Sequence, residues 1–370
     1  MAQGSHRTTW LEVDLGAIAR NLQHIRAAVA PAGVMAMVKA DAYGHGIDLV
    51  APHIEPLVEY FGVALPEEGI HLRERGLKNP ILVAGGVLPD QLPLLLRHDL
   101  TVTATSIDLL KALDQAAAAL QVRARTHLKI DTGMERLGVR EYEAEAFVQA
   151  SLECQHIEVE GIFTHLANAE RLDGEYSRMQ LDRFEAVLSI YEKRGLPRPR
   201  LRHVCNSGGI LHLPEGYMEL VRPGLLMYGI YPLDEPAPSI RVERALSWHS
   251  RVVLSKITRP GRPVSYGSTW KPARETRLLT LPCGYGDGYS RRMSGRSQVS
   301  INGRLYPQVG TICMDQCMVN VGDASIGAGE TATLLGESIT AENLAEWAGT
   351  NTYEVLTSIN ARVPRVAVGV

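Results

Sequence analysis

Apolar runs and polar breaks divide the 370-residue chain into two stretches with different rhythms. In the first, short apolar runs recur at Val34–Val38, Phe61–Leu65, Ile81–Ala84, Thr101–Thr103, Thr126–Ile130, Val159–Phe163, Leu201–Val204 and Glu219–Val221. Runs this short and continuous read as strands buried on both faces. Helical spacing separates most of them: Pro66 to Leu72, Ser106–Leu120, Glu141–Ser151 and Arg178–Lys193. Upstream, Thr8–Leu15 alternates as a strand. Asp14 then caps an amphipathic helix with Leu15, Ile18, Leu22 and Ile25 on one face. Strand and helix alternating eight times predict a parallel (β/α)8 barrel of the TIM type.

The rhythm changes after a proline-rich stretch, Tyr231–Ser239, which reads as a linker. Beyond it, β-branched runs alternate with Gly and Pro at Arg251–Ile257, Arg277–Leu281, Gln298–Ile301, Met318–Val321 and Thr331–Leu335. This predicts a C-terminal, mainly β domain, interrupted by one helix at Ala341–Ala348 behind Thr340. The expected division is a first strand within 1–12 that joins the β domain, a barrel over 13–240, and the β domain over 241–370.

Composition adds limits. Hydrophobic residues make up 45% and charged residues 21%, so a large core is available. A formal net charge of -3 gives no basic excess for nucleic acid or an anionic membrane. The five cysteines are odd in number and sparse, which fits a reducing cytosol, and no paired set has zinc-site spacing. Met1–Trp10 has no apolar core of the secretory kind, and no apolar run is long enough for a bilayer. A cytoplasmic protein without a metal site is expected.

The chemistry gathers at strand ends, where a barrel carries its function. Val34–Val38 runs straight into Lys39. Burial disfavours an ammonium, so a lysine there tends to a free amine able to attack a carbonyl. Lys129 and Arg136 flank the fifth strand. His165 follows the sixth, His203 and Asn206-Ser207 the seventh, and Arg222 the eighth. Asn206-Ser207-Gly208-Gly209 reads as a helix start whose N–H groups face an anion. Arg222-Pro223-Gly224 makes a second turn beside it. Two such turns at adjacent strands form a phosphate cradle; separately, each is an ordinary turn.

Several separated motifs resemble those of the alanine racemases, barrel-type enzymes that use pyridoxal 5'-phosphate (PLP). They include Val38 to Gly46, Lys129-Ile130-Asp131-Thr132-Gly133-Met134, Gly161 to His165, Asn206-Ser207 and Arg222-Pro223-Gly224. Further along come Ser265-Tyr266-Gly267, Gly284 to Tyr289, Met314-Asp315-Gln316 and Arg362-Val363-Pro364-Arg365. Their order and spacing extend the resemblance over nearly the whole chain.

The resemblance implies Lys39 as the PLP-holding lysine, and Lys39 with Tyr266 as the two catalytic bases. It implies Tyr43, Asn206, Ser207, the Gly224-Leu225 backbone and Tyr353 around the phosphate. Arg222 matches the arginine facing the pyridine nitrogen. His165 matches a histidine that contacts both this arginine and the tyrosine base, a cationic neighbourhood that favours phenolate. Arg136 and the Met314 backbone match substrate-carboxylate positions, while Tyr285 and Tyr353 match a narrow entrance. Lys129 matches a lysine carbamylated in many members; otherwise it is a barrel lysine paired with Asp131. The resemblance further implies a homodimer with shared active sites, acting on alanine to supply D-alanine for peptidoglycan. Glu135, where the family usually has Gly, and Thr311, where it often has Arg, leave the reaction intact but bear on selectivity. The readings kept beside this one are a racemase of serine or of a broader set, a barrel-type decarboxylase, and a non-catalytic PLP-carrier barrel. The last lacks a second domain and therefore any counterpart of Tyr266.

Overall fold

The computed structural model describes residues 7–171, 174–232 and 239–370; most of the proline-rich stretch lies outside them. The chain forms two compact units. One holds Ile18–Ala42 and Val50–Glu243; the other holds the residues through Ala17, Tyr43–Leu49 and Arg244–Val370.

The first unit is built on eight parallel strands. They are β2 (Gly33–Met37), β3 (Tyr60–Val63), β4 (Ile81–Val83), β5 (Thr101–Ala104), β6 (Ala124–Asp131), β8 (Ile157–Phe163), β9 (Leu201–His203) and β10 (Leu220–Val221). Their order is β10-β2-β3-β4-β5-β6-β8-β9, and a two-residue strand, β7 (Val139–Arg140), pairs with β6. Every residue of β3, β4 and β5 is buried, as strands covered on both faces must be. The gap between β9 and β10 is bridged by side chain and loop. The Glu219 carboxylate accepts the Arg202 N–H (2.9 Å), and the Arg222 N–H donates to Cys205 O (2.9 Å). The eight strands thus form a nearly closed barrel. Met35, Tyr60, Leu82, Phe163, Leu201 and Leu220 pack together as an apolar cluster.

The second unit carries a nine-stranded sheet ordered β12-β13-β16-β15-β14-β17-β11-β1-β18. Its members are β1 (Thr9–Asp14), β11 (Leu246–Arg251), β12 (Leu254–Thr258), β13 (Thr276–Leu281), β14 (Gln298–Ile301), β15 (Arg304–Val309), β16 (Cys317–Gly322), β17 (Thr331–Leu335) and β18 (Arg365–Val368). β1 lies antiparallel to β11 and parallel to β18. Burial alternates along β1 and β16, the signature of a sheet with one covered face. The Arg251–Ile257 run is two strands, β11 and β12, broken at Val252-Val253. The helix Ala341–Ala348 is capped by Thr340, whose side chain accepts from Asn343 N–H. Asp14 caps the helix Leu15–Val29 by accepting the Ala17 N–H at 2.7 Å.

Candidate active site

In the barrel unit the site begins where β2 ends. Val38 is fully buried and Lys39 follows it, half-buried. The next four residues, Ala40 to Tyr43, all have φ of 52 to 55°. Left-handed backbone costs a non-glycine residue roughly 1–2 kcal/mol, so this turn must be held. Ala42 N–H donates to Val38 O (2.9 Å), and Ala40 N–H donates to Glu68 Oε1 (2.6 Å). The other Glu68 oxygen takes the Ala64 and Leu65 N–H groups. Burial, then the positive charge of Arg136, lowers the Lys39 amine below the usual lysine range; Glu68 pulls the other way. The unprotonated, nucleophilic form is therefore favoured.

Around it, the barrel interior gathers basic side chains. Arg222, just past β10, is 4% exposed. It donates to Thr164 O and Val204 O (both 2.9 Å), to His203 Nδ1 (2.8 Å) and to His165 Nδ1 (3.2 Å). Burial lowers its pKa to about 10, which still leaves it charged near neutrality. The Phe163 ring offers its π face to Arg222 (5.4 Å) and to the Lys129 ammonium position (4.8 Å), and stacks on His203 at 4.6 Å. Burial and Arg222 push His165 well below the ordinary histidine range. His165 is thus a neutral imidazole, and Arg222 carries the positive charge of that pair.

Lys129 is buried, and burial and Arg222 hold its amine well below the usual value. Its Nζ donates to Ile130 O (3.3 Å). The Asp131 carboxylate is taken up elsewhere. It accepts the N–H groups of Gly133 and Met134 (2.9 Å), Glu135 (3.1 Å) and Arg136 (3.2 Å), folding the loop that presents Arg136. Within that loop Glu135 has φ 52°, a conformation that favours glycine. Its carboxylate is exposed and pairs with Arg140 at 3.0 Å.

The two turns lie together. Asn206 caps the short helix Ser207–His212 by accepting the Gly209 N–H (3.0 Å). Ser207 Oγ accepts the N–H groups of Gly224 (2.9 Å) and Leu226 (3.3 Å), tying the second turn to the first. A Cβ on Gly208 would meet Ala169 O at 2.7 Å, so only glycine allows this approach. Ser207 and Gly208 at one helix start and Leu225 at the next short turn have N–H groups with no intrahelical acceptor. Such donors are able to receive an anion. The Gly224 N–H, by contrast, is already engaged by Ser207.

The remaining expected residues lie in the β unit. Tyr43 and Tyr353 face each other with ring centres 6.1 Å apart. Tyr266 is 70% exposed on a strained loop: Ser265 has φ 66° and ψ -176°, and Ser268 has φ 52°. Two hydrogen bonds hold it, Ser265 Oγ donating to Thr311 O (2.5 Å) and Thr311 Oγ1 donating to Tyr266 O (2.8 Å). Tyr285 N–H donates to Cys313 O (3.0 Å) and Gly286 N–H to Met314 O (2.8 Å), which joins two motifs. Asp287, fully buried, binds Arg7 and Arg362 and accepts the Gly284 N–H (2.9 Å). Arg362 also reaches Asp315 (2.9 Å), bringing the C-terminal motif to the same place. Sequence reasoning passed over Asp287 as a clamp, and Ser265 and Thr311 as supports for Tyr266. It also passed over His127, Glu160 and Tyr60, polar residues buried inside apolar strands, which was the signal that could have found them.

Fold and site define a barrel enzyme with an amine-rich mouth, accompanied by a β unit carrying exposed tyrosines. Two sequence profiles cover the chain: alanine racemase, N-terminal domain, over residues 13–232, and alanine racemase, C-terminal domain, over 245–367. The alanine racemase of Symbiobacterium thermophilum is 41% identical over 97% of both chains. The solved alanine racemase of Clostridium difficile 630 superposes with a TM-score of 0.94, at 32% identity, over 98% of this chain and 96% of that one. Another, from Bartonella henselae with covalently bound pyridoxal phosphate, gives 0.89 at 28% identity, over 98% of this chain and 99% of that one. The chain belongs to the alanine racemase family, and it is an isomerase that racemises alanine.

Proposed function

We propose that this chain interconverts L- and D-alanine with PLP, using Lys39 and Tyr266 as bases on opposite faces of the α-carbon. The observation that carries the reading is Lys39. It is an amine held below its usual pKa at a buried strand end, in the same barrel as a buried arginine and two anion-ready turns. The residues fit the cofactor. Lys39 would hold its aldehyde carbon, the donors of Ser207, Gly208 and Leu225 its phosphate, and Arg222 its ring nitrogen. The Bartonella henselae relative supports this choice of cofactor. Bound PLP supplies a conjugated ring that acidifies the α-proton.

The chain's own groups do the rest. Lys39 Nζ, unprotonated, takes a proton from one face, and Tyr266 Oη delivers one from the other. Arg222 has only donors, so it leaves the nitrogen it faces with its lone pair, which limits electron withdrawal and favours reprotonation over transamination. Arg136 and the Met314 N–H would hold the substrate carboxylate, and Tyr285 would narrow the approach. Lys129 in its neutral form could add to carbon dioxide: the N–C bond forms, a C=O π pair moves to oxygen, and the amine proton leaves. The resulting carbamate anion would face Arg136.

We place the reaction in the cytoplasm, supplying D-alanine for peptidoglycan, and in a homodimer in which Lys39 and Tyr266 come from different chains. The β unit supports the shared arrangement of the two bases. An open groove of 1080 Å³ beside Tyr266 is lined by Leu254, Ile257 and Val264, and Val253, Leu254 and Ile257 are 43–50% exposed. A partner covering that groove would exclude water from the tyrosine.

Two experiments test the reading. The purified protein should carry a visible chromophore that borohydride bleaches, with the label on Lys39; a protein that stays colourless with added PLP refutes it. Lys39→Ala and Tyr266→Phe, unfolded and refolded together, should recover activity, because random mixing leaves roughly a quarter of all sites intact. Mixed dimers without activity would place both bases in one chain.

A further inference from the structure

A line of hydrogen bonds crosses the barrel interior away from Arg222. Arg222 donates to His203 Nδ1 (2.8 Å). His203 Nε2 lies 2.8 Å from His127 Nδ1, and His127 Nε2 lies 3.4 Å from Glu160 Oε2. Tyr60 donates to that same oxygen (2.8 Å) and contacts Thr101 Oγ1 (2.6 Å). Arg200, 71% exposed, donates to Glu160 Oε1 (2.5 Å). Arg222, His203, His127 and Glu160 are all at most 5% exposed.

The chemistry of the donors fixes the proton positions. A guanidinium can only donate, so His203 Nδ1 must accept and its proton sits on Nε2. That proton points at His127 Nδ1, which places the His127 proton on Nε2, facing the carboxylate. Both imidazoles are neutral and aligned. Among the described residues, the Arg222 side chain donates only to neutral acceptors. The anion that complements it stands at the far end of the line. Glu160 is kept ionised by His127 and Tyr60, its pKa lowered to about 2 against the pull of burial. The site is built around the line: a Cβ on Gly161 would lie 2.7 Å from three His127 ring atoms.

We infer that Glu160 is a positioning residue for Arg222, orienting His127 and, through it, strengthening the His203 nitrogen that receives the guanidinium. The consequence for catalysis rests on the proposed role of Arg222 toward the PLP ring; the tautomers do not. Aligned dipoles in a low-dielectric interior strengthen one another, so loss of the terminal charge weakens the acceptor at the other end.

The test uses full-length protein with 15N-labelled histidine, and its readout is the imidazole nitrogen shifts. In the wild type, His127 and His203 should both be neutral with the proton on Nε2. Glu160→Gln keeps the shape and removes the charge. It should shift the His203 Nδ1 signal toward that of a weaker acceptor, and kcat should fall roughly five-fold with KM within two-fold. His127→Phe severs the line without touching the Tyr60 or Arg200 contacts and should shift His203 the same way. His127→Gln, which can offer an oxygen to His203 and a nitrogen to Glu160, should restore it. A His203 proton on Nδ1 in the wild type overturns the inference. So does a wild-type His203 signal in His127→Phe, even where Glu160→Gln fails to fold. Correct tautomers in a protein without chromophore would sink the cofactor reading and leave this one standing.

Discussion

The substitution Thr311→Val isolates one hydrogen bond behind the proposed base. Thr311 Oγ1 donates to Tyr266 O at 2.8 Å, and valine keeps the shape without the hydroxyl. The loop it holds is under strain. Ser265 sits at φ 66°, ψ -176°, a region nearly reserved for glycine, and Ser268 is left-handed. Together these positions store about 2–4 kcal/mol. The Ser265 hydroxyl still reaches Thr311 O in the variant, so half of the support survives. The lost bond is worth about 0.5–1.5 kcal/mol net, which converts to a fall in kcat of roughly 2- to 13-fold. KM for alanine should change little, because the bond positions a base rather than binding substrate.

One constraint sharpens the assay. Enantiomers have equal free energy, so kcat/KM must fall by the same factor in both directions. Turnover alone cannot say which base moved. Exchange of the α-proton with deuterated water can. If Tyr266 serves L-alanine, exchange from L-alanine should slow in Thr311→Val while exchange from D-alanine is nearly kept. Thr311→Ser, which retains the hydroxyl, should recover most of the loss. Equal slowing from both enantiomers, or wild-type kcat in the valine variant, would refute the argument.

Asp287→Asn should lower unfolding stability by about 2–3 kcal/mol in urea. It removes a fully buried charge from Arg7 and Arg362, discounted because both arginines are about a third exposed; a loss under about 0.5 kcal/mol would show that the clamp is not held by charge. Stability should also fall on mild acidification. His127 and His203 are fully buried with pKa values lowered by desolvation, so below about pH 6.5 the unfolded chain takes up protons that the folded chain refuses. Two such groups cost together at most about 2.5 kcal/mol between pH 7 and 5.5. Glu160 adds a further loss as pH drops from its ordinary range toward 2. Urea midpoints that stay level between pH 7 and 5.5 would mean that these histidines do titrate inside the fold.

The barrel was legible because buried parallel strands are written as unbroken apolar runs, and these give away position even where the boundaries slip. The β unit was less so. β15 was passed over because Pro307 argues against a central strand, although Asn302-Gly303 before it is a strong hairpin signal and both residues are left-handed in the turn. β18 was hidden because it pairs in parallel with β1, more than 350 positions away in sequence. The candidate site divides in the same way. Lys39, Arg222 and His165 stand out at strand ends, where polar residues are unexpected. Tyr266 does not: it is an exposed tyrosine in a loop, and only resemblance selects it. What the sequence could not express is the backbone that makes those positions usable. Four left-handed residues follow Lys39, and two left-handed serines flank Tyr266. Local propensity opposes both turns, so tertiary contacts must impose them: Glu68 on one, Thr311 on the other. A site whose two proposed bases both depend on imposed backbone is most sensitive at those distant supports. There a conservative change removes no proposed catalytic atom and still moves one of the bases.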